Sequence, residues 1–141
     1  MKNLTGIIDL FSTKLNFLLT DMETKEETKI QINGSNIEKD LYETVIQNNV
    51  SSINLIGGPM QYTKRIKSNL EKMLKTNSNY SNVVVNIFSI KDMKIANLKP
   101  LQQQWDTYTE KKMLYIMMTV IGCLLLEKKK FHLLFLSIMK K

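Results

Sequence analysis

The chain has 141 residues and a formal net charge of +7, long enough for one domain to bury a core without metal or disulfide staples. Its single cysteine, Cys123, excludes an intrachain disulfide and suits a reducing compartment, and the start, Met1 to Asp9, lacks an apolar core of signal-peptide length. The expectation is a cytoplasmic protein, and because the basic balance is nearly all lysine, with Arg65 the only arginine, nucleic acid is the lesser expectation among partners.

Leu4 to Leu10 reads as a strand, Phe11-Ser12-Thr13 as a turn, and Lys14 to Thr20 as a second strand. Glu27 to Asn33 alternates Thr28, Ile30 and Ile32 with Lys29 and Gln31, a half-exposed third strand. Gly34 ends it. Ser35, with Glu38 three residues later, has the spacing of a capping box for a helix whose buried face repeats as Ile37, Leu41 and Val45. Val50 to Ile56 is a fourth strand, closed by Gly57-Gly58-Pro59. Met60 to Lys75 returns to helical spacing, with Tyr62, Ile66, Leu70, Met73 and Leu74 on one side. Asn77 to Ser81 is a turn, and Asn82 to Ile90 is a fifth strand, rich in Val and Ile. Pro100 is placed to open a final helix through Trp105 and Tyr108. The expected core is Ile8, Phe17, Leu41, Val45, Ile53, Leu55, Ile66, Leu70, Val84 and Ile87. This order predicts an α/β domain over residues 1–110 built on a mixed five-stranded sheet, a three-strand meander followed by strand-helix repeats.

Chemistry changes near Lys111. All 13 asparagines lie at or before Asn97, and beyond Glu110 seven lysines face one acid. Met113 to Leu126 is uncharged, Glu127-Lys128-Lys129-Lys130 interrupts, and Phe131 to Met139 is a second apolar run. A 14-residue helix spans about 21 Å against a hydrocarbon core of roughly 30 Å, so no bilayer crossing is expected. Three readings of residues 111–141 stand side by side. They are a helix for a protein partner or an anionic membrane surface, a last core helix over Lys112 to Leu126, or the product of a shifted reading frame.

The order of elements, with Asp9 closing the first strand and a tight turn into the second, resembles the ribonuclease H-like superfold. That group holds metal-dependent nucleases and, as a variant, actin-like ATPase domains. Two metal ions held by carboxylates are what the nuclease branch implies, with Asp9 in the first position and Asp106 in a late one; the fourth strand, Val50 to Ile56, carries no acid. The actin-like branch implies a nucleotide, ATP with Mg²⁺, cradled at Asp9-Leu10-Phe11-Ser12-Thr13-Lys14. There Asp9 would orient metal-bound water while Ser12, Thr13 and Lys14 contact phosphate. Phe11 stands where that family has glycine, and the chain covers one half of an actin-like ATPase. Gly57 and Gly58 would line a crevice at the carboxyl ends of the strands. The same residues also read as a hairpin turn and a strand-to-helix connection. With one histidine, His132, and no Cys/His metal spacing, the expectation is a small ligand-binding or scaffold domain without catalysis. A nuclease and a membrane-associated protein are the alternatives, and an AT-rich phage or plasmid genome accounts for the abundant Lys, Asn and Ile.

Overall fold

Strands form where the two-residue period is clearest: β1 (Lys2–Ile7), β2 (Lys14–Asp21), β3 (Glu27–Asn33), β4 (Ser52–Ile56) and β5 (Val84–Phe88). Helices α1 (Ile37–Asn48) and α2 (Met60–Lys75) lie between them, and α3 (Gln102–Met139) follows. The computed structural model describes residues 1–89 and 99–139, with side chains described to Lys128. The chain divides into two compact units, Met1–Trp105 and Asp106–Lys141.

The first unit is an α/β fold on a five-stranded mixed sheet of order β3-β2-β1-β4-β5. β1 pairs antiparallel with β2, as β2 does with β3, whereas β1–β4 and β4–β5 are parallel. Register puts Leu4 opposite Leu19 and Ile53, and Gly6 opposite Phe17 and Leu55, so one sheet face is continuous and apolar. Ile37, Leu41 and Val45 of α1 and Ile66, Leu70 and Leu74 of α2 close over it in a single buried cluster. Each such side chain stabilises the fold by about 1.5–3 kcal/mol on burial.

The other face crosses β1, β4 and β5 as a polar ladder. Asn86 Nδ2 donates to Asn54 Oδ1 at 3.1 Å, Asn54 Nδ2 to Thr5 Oγ1 at 3.1 Å, and Ser52 Oγ to Asn3 Oδ1. Side-chain amides placed opposite one another can serve as donor and acceptor in turn, so asparagine suits neighbouring strands here.

Four expectations need correction. β1 begins at Lys2 and ends at Ile7, so Asp9 and Leu10 lie in the turn rather than the strand. Val84 is 54 % exposed and Val85 takes its place in the core, with Ile87 half-buried on the same face. The residues ahead of α1 form a 3-10 turn, Gly34–Asn36, and no capping box forms. Asn33 Oδ1 instead accepts the Ser35 N–H at 3.1 Å and the Ser35 hydroxyl at 2.9 Å, while Asp40 Oδ2 accepts the Asn33 N–H at 2.9 Å. Pro100 sits in a 3-10 turn, Lys99–Leu101, and α3 starts two residues after the proline, at Gln102. Of the fifth expected strand, Ile90 lies outside the described residues.

In the second unit α3 continues as helix to Met139. Met113 to Met118, with Val120, Ile121 and Leu124 to Leu126, are all exposed, which does not support Lys112 to Leu126 as a core helix. The side chains of Phe131 to Met139 lie outside the described residues.

Candidate functional site

Parallel pairing of β1 with β4 brings their carboxyl ends out together: Ile7 faces Ile56, and the Ile8 N–H donates to the Ile56 carbonyl at 2.9 Å. Two turns leave from there. From β4 the chain passes through Gly57 and Gly58, both left-handed at φ 69° and 73°, a region that costs other residues dearly. The Gly57 N–H donates to the Phe88 carbonyl at 2.9 Å, and the Gly57 carbonyl accepts the Thr63 hydroxyl at 3.0 Å. Space is as restrictive as backbone angle. A Cβ on Gly58 would stand 2.7 Å from the Ile8 carbonyl oxygen, and one on Gly57 would stand 2.8 Å from the Trp105 indole. The turn delivers the chain into α2, whose first turn has no side-chain cap and no acidic residue.

From β1 the chain turns at Asp9, a carboxylate only 4 % exposed. Its Oδ1 accepts the Phe11 N–H at 2.8 Å and its Oδ2 accepts the Ser12 hydroxyl at 2.7 Å. This is an Asx-type turn, in which the side chain supplies what a backbone carbonyl otherwise would. Two bonds leave roughly half of the carboxylate's lone-pair capacity unspent.

Asp9 and Ser12 are thus in direct contact, and Gly58 packs on Ile8, the residue before Asp9. Thr13 and Lys14 belong to different surroundings. The Thr13 carbonyl accepts the Gly34 N–H at 2.7 Å. Lys14 opens β2 opposite Asn33. Both line a shallow concavity of about 240 Å³ with Gln31, Ile32, Asn33 and Asp40, a set that does not include Asp9. Asp106 falls in the second unit. Among the described residues no group of three or more His, Cys, Asp or Glu is placed to hold a metal ion.

Two contributors escaped sequence reasoning. Thr63 lies six residues beyond Gly57 and fixes its carbonyl through a hydroxyl that no motif marks. Asp40 faces Asn33 only because the 3-10 turn folds α1 back toward β3. No family model matches the chain, and neither does any characterised protein with which it was compared.

Proposed function

We propose that residues 1–105 form a non-catalytic ligand-binding domain of the ribonuclease H-like, actin-like kind, taking a phosphate-bearing ligand such as a nucleotide at the carboxyl ends of β1 and β4. One observation carries this reading: the Asp9 turn and the Gly57-Gly58 turn emerge from adjacent parallel strands beside the uncapped start of α2. Ligands of open α/β sheets favour that end of the strands, and a helix N-terminus with free N–H groups suits an anion. The element order, three strands and then helix-crossed strands, supports the same reading.

Asp9, with lone pairs to spare, is the residue suited to orient water around a Mg²⁺ ion, and Ser12, in contact with it, supplies a hydroxyl donor toward phosphate, whereas Thr13 and Lys14 line a separate concavity. Mg²⁺ would contribute charge neutralisation between the carboxylate and the phosphates. Ser12 already donates its proton to Asp9, so a phosphate must compete for that hydroxyl. Affinity is therefore modest.

Calorimetric titration of the full chain with ATP, with and without Mg²⁺, tests the reading. Saturable heat that depends on Mg²⁺ and weakens in Ser12→Ala is expected. No heat at millimolar ATP removes the nucleotide from consideration.

A further inference from the structure

The second unit carries a surface that the first does not explain. Met113, Leu114, Tyr115, Ile116, Met117 and Met118 are successive residues of α3, and each is 45–64 % exposed. At 3.6 residues per turn, six successive positions pass around the whole circumference of a helix. Val120, Ile121, Leu124, Leu125 and Leu126 continue the surface at 52–61 %. The exposed apolar area is accordingly a full collar and not a stripe. A protein groove covers one face of a helix; a collar is enclosed only by hydrocarbon or by several helices at once.

Charge separates those two. Glu110-Lys111-Lys112 stands at one end of the uncharged segment and Glu127-Lys128-Lys129-Lys130 at the other, so both ends carry a net positive charge. Copies of this helix packed side by side, parallel or antiparallel, would bring ends of like net charge together. Anionic headgroups neutralise them instead. Length then sets the pose. The uncharged segment of 14 residues measures about 21 Å as a helix, short of the roughly 30 Å hydrocarbon layer. No helix among the described residues is long and apolar enough to cross a membrane.

We propose that Lys111 to Lys130 is an in-plane anchor for an anionic lipid surface. The collar sits beneath the headgroups of one leaflet, and the stems of Lys111, Lys112 and Lys128 reach back up to the phosphates. Glycine at position 122 and threonine at 119 do not oppose this, because Thr119 returns its hydroxyl to the Tyr115 carbonyl at 2.9 Å. The inference is independent of phosphate binding by the first unit.

Cys123 makes the test direct, being the only cysteine, exposed, and inside the collar. The full chain is labelled there with an environment-sensitive fluorophore and mixed with vesicles of phosphatidylcholine alone or with phosphatidylglycerol. A blue shift confined to the anionic vesicles is expected, with stronger quenching by nitroxides near the headgroup than by nitroxides near the chain ends. Lys128→Glu/Lys129→Glu/Lys130→Glu should weaken partitioning at least tenfold. Absence of a shift, equal binding to neutral vesicles, deepest quenching at the bilayer centre, or a lipid-indifferent soluble oligomer would each overturn the proposal.

Discussion

The ring of Phe17 fills the place where a side chain on Gly6 would stand, its carbons 2.5 Å from the position of the missing Cβ. The two are partners across the β1–β2 ladder, and Phe17 is fully buried. They share one volume. Gly6→Ala should cost about 1–3 kcal/mol by overpacking, and Phe17→Ala about 3–5 kcal/mol by leaving a hole. Because the alanine methyl enters part of that hole, the double variant should lose less than the sum. Urea unfolding of all four proteins measures the coupling, and strict additivity would show that the volume is not shared.

Asp9 has a structural task whatever it binds. Removing both of its hydrogen bonds in Asp9→Ala should destabilise the first unit by about 1.5–3 kcal/mol, the range for bonds to a charged group. In Asp9→Asn the amide oxygen still accepts the Phe11 N–H, so the loss should be smaller. Thermal unfolding ranks the two variants. If Asp9→Asn unfolds like the parent but gives no heat with Mg-ATP, the carboxylate charge acts on ligand; equal heat assigns Asp9 to the turn alone.

Asp21 closes β2 at the turn toward β3, where the N–H groups of Glu23 at 2.9 Å and Thr24 at 3.4 Å point at its carboxylate. The Glu23 bond first, then the Thr24 bond, hold its carboxyl below the ordinary carboxylate value. A lowered folded-state value means stability that is complete above the unfolded pKa and lost as pH falls through the folded one. Asp21→Asn should therefore lower stability at neutral pH, change it little in acid, and so flatten part of the acid limb of a stability–pH curve. A carboxyl carbon titration by NMR that finds Asp21 at or above the ordinary aspartate midpoint would contradict this.

Thr20 is 5 % exposed, and among the described residues its hydroxyl is the buried side-chain polar atom without a hydrogen-bond partner. Valine has nearly the same shape and no group to desolvate. Thr20→Val is expected to stabilise by about 1 kcal/mol, read as a higher midpoint in thermal or urea unfolding. A loss of stability would mean that the hydroxyl has a partner such as water.

Alternation made most of the sheet legible. β3 copies its period-two pattern with the same limits, and α2 its helical spacing. Where alternation is missing, phase is lost. Val83-Val84-Val85 offers three equivalent residues, and only pairing with Ser52 and Ile53 of β4 decides that Val85 turns inward. Ile7-Ile8-Asp9-Leu10 similarly hides the end of β1, which is set by the Asp9 hydrogen bonds to Phe11 and Ser12. The capping box had correct spacing and lost to a nearer competitor, Asn33, two residues before Ser35. At the candidate site, the presence of Asp9 and Gly58 was legible but their neighbourhood was not. Contact between Ile8 and Gly58 joins residues fifty positions apart, beyond any local pattern.

The place of β1 in the middle of the sheet has a consequence for a chain emerging from the ribosome. Its antiparallel partner, β2, is complete by Asp21, but its parallel partner, β4, ends only at Ile56. At a synthesis rate of about 5–20 residues per second, the interval lasts a few seconds. Throughout it, Leu4 and Ile8 lack the cover of β4 and α2, and the far edge of β1 keeps unpaired backbone groups facing the nascent-chain surroundings. Conditions that slow translation between Asp21 and Ile56 should favour aggregation, whereas synthesis beyond α2 closes that vulnerable edge.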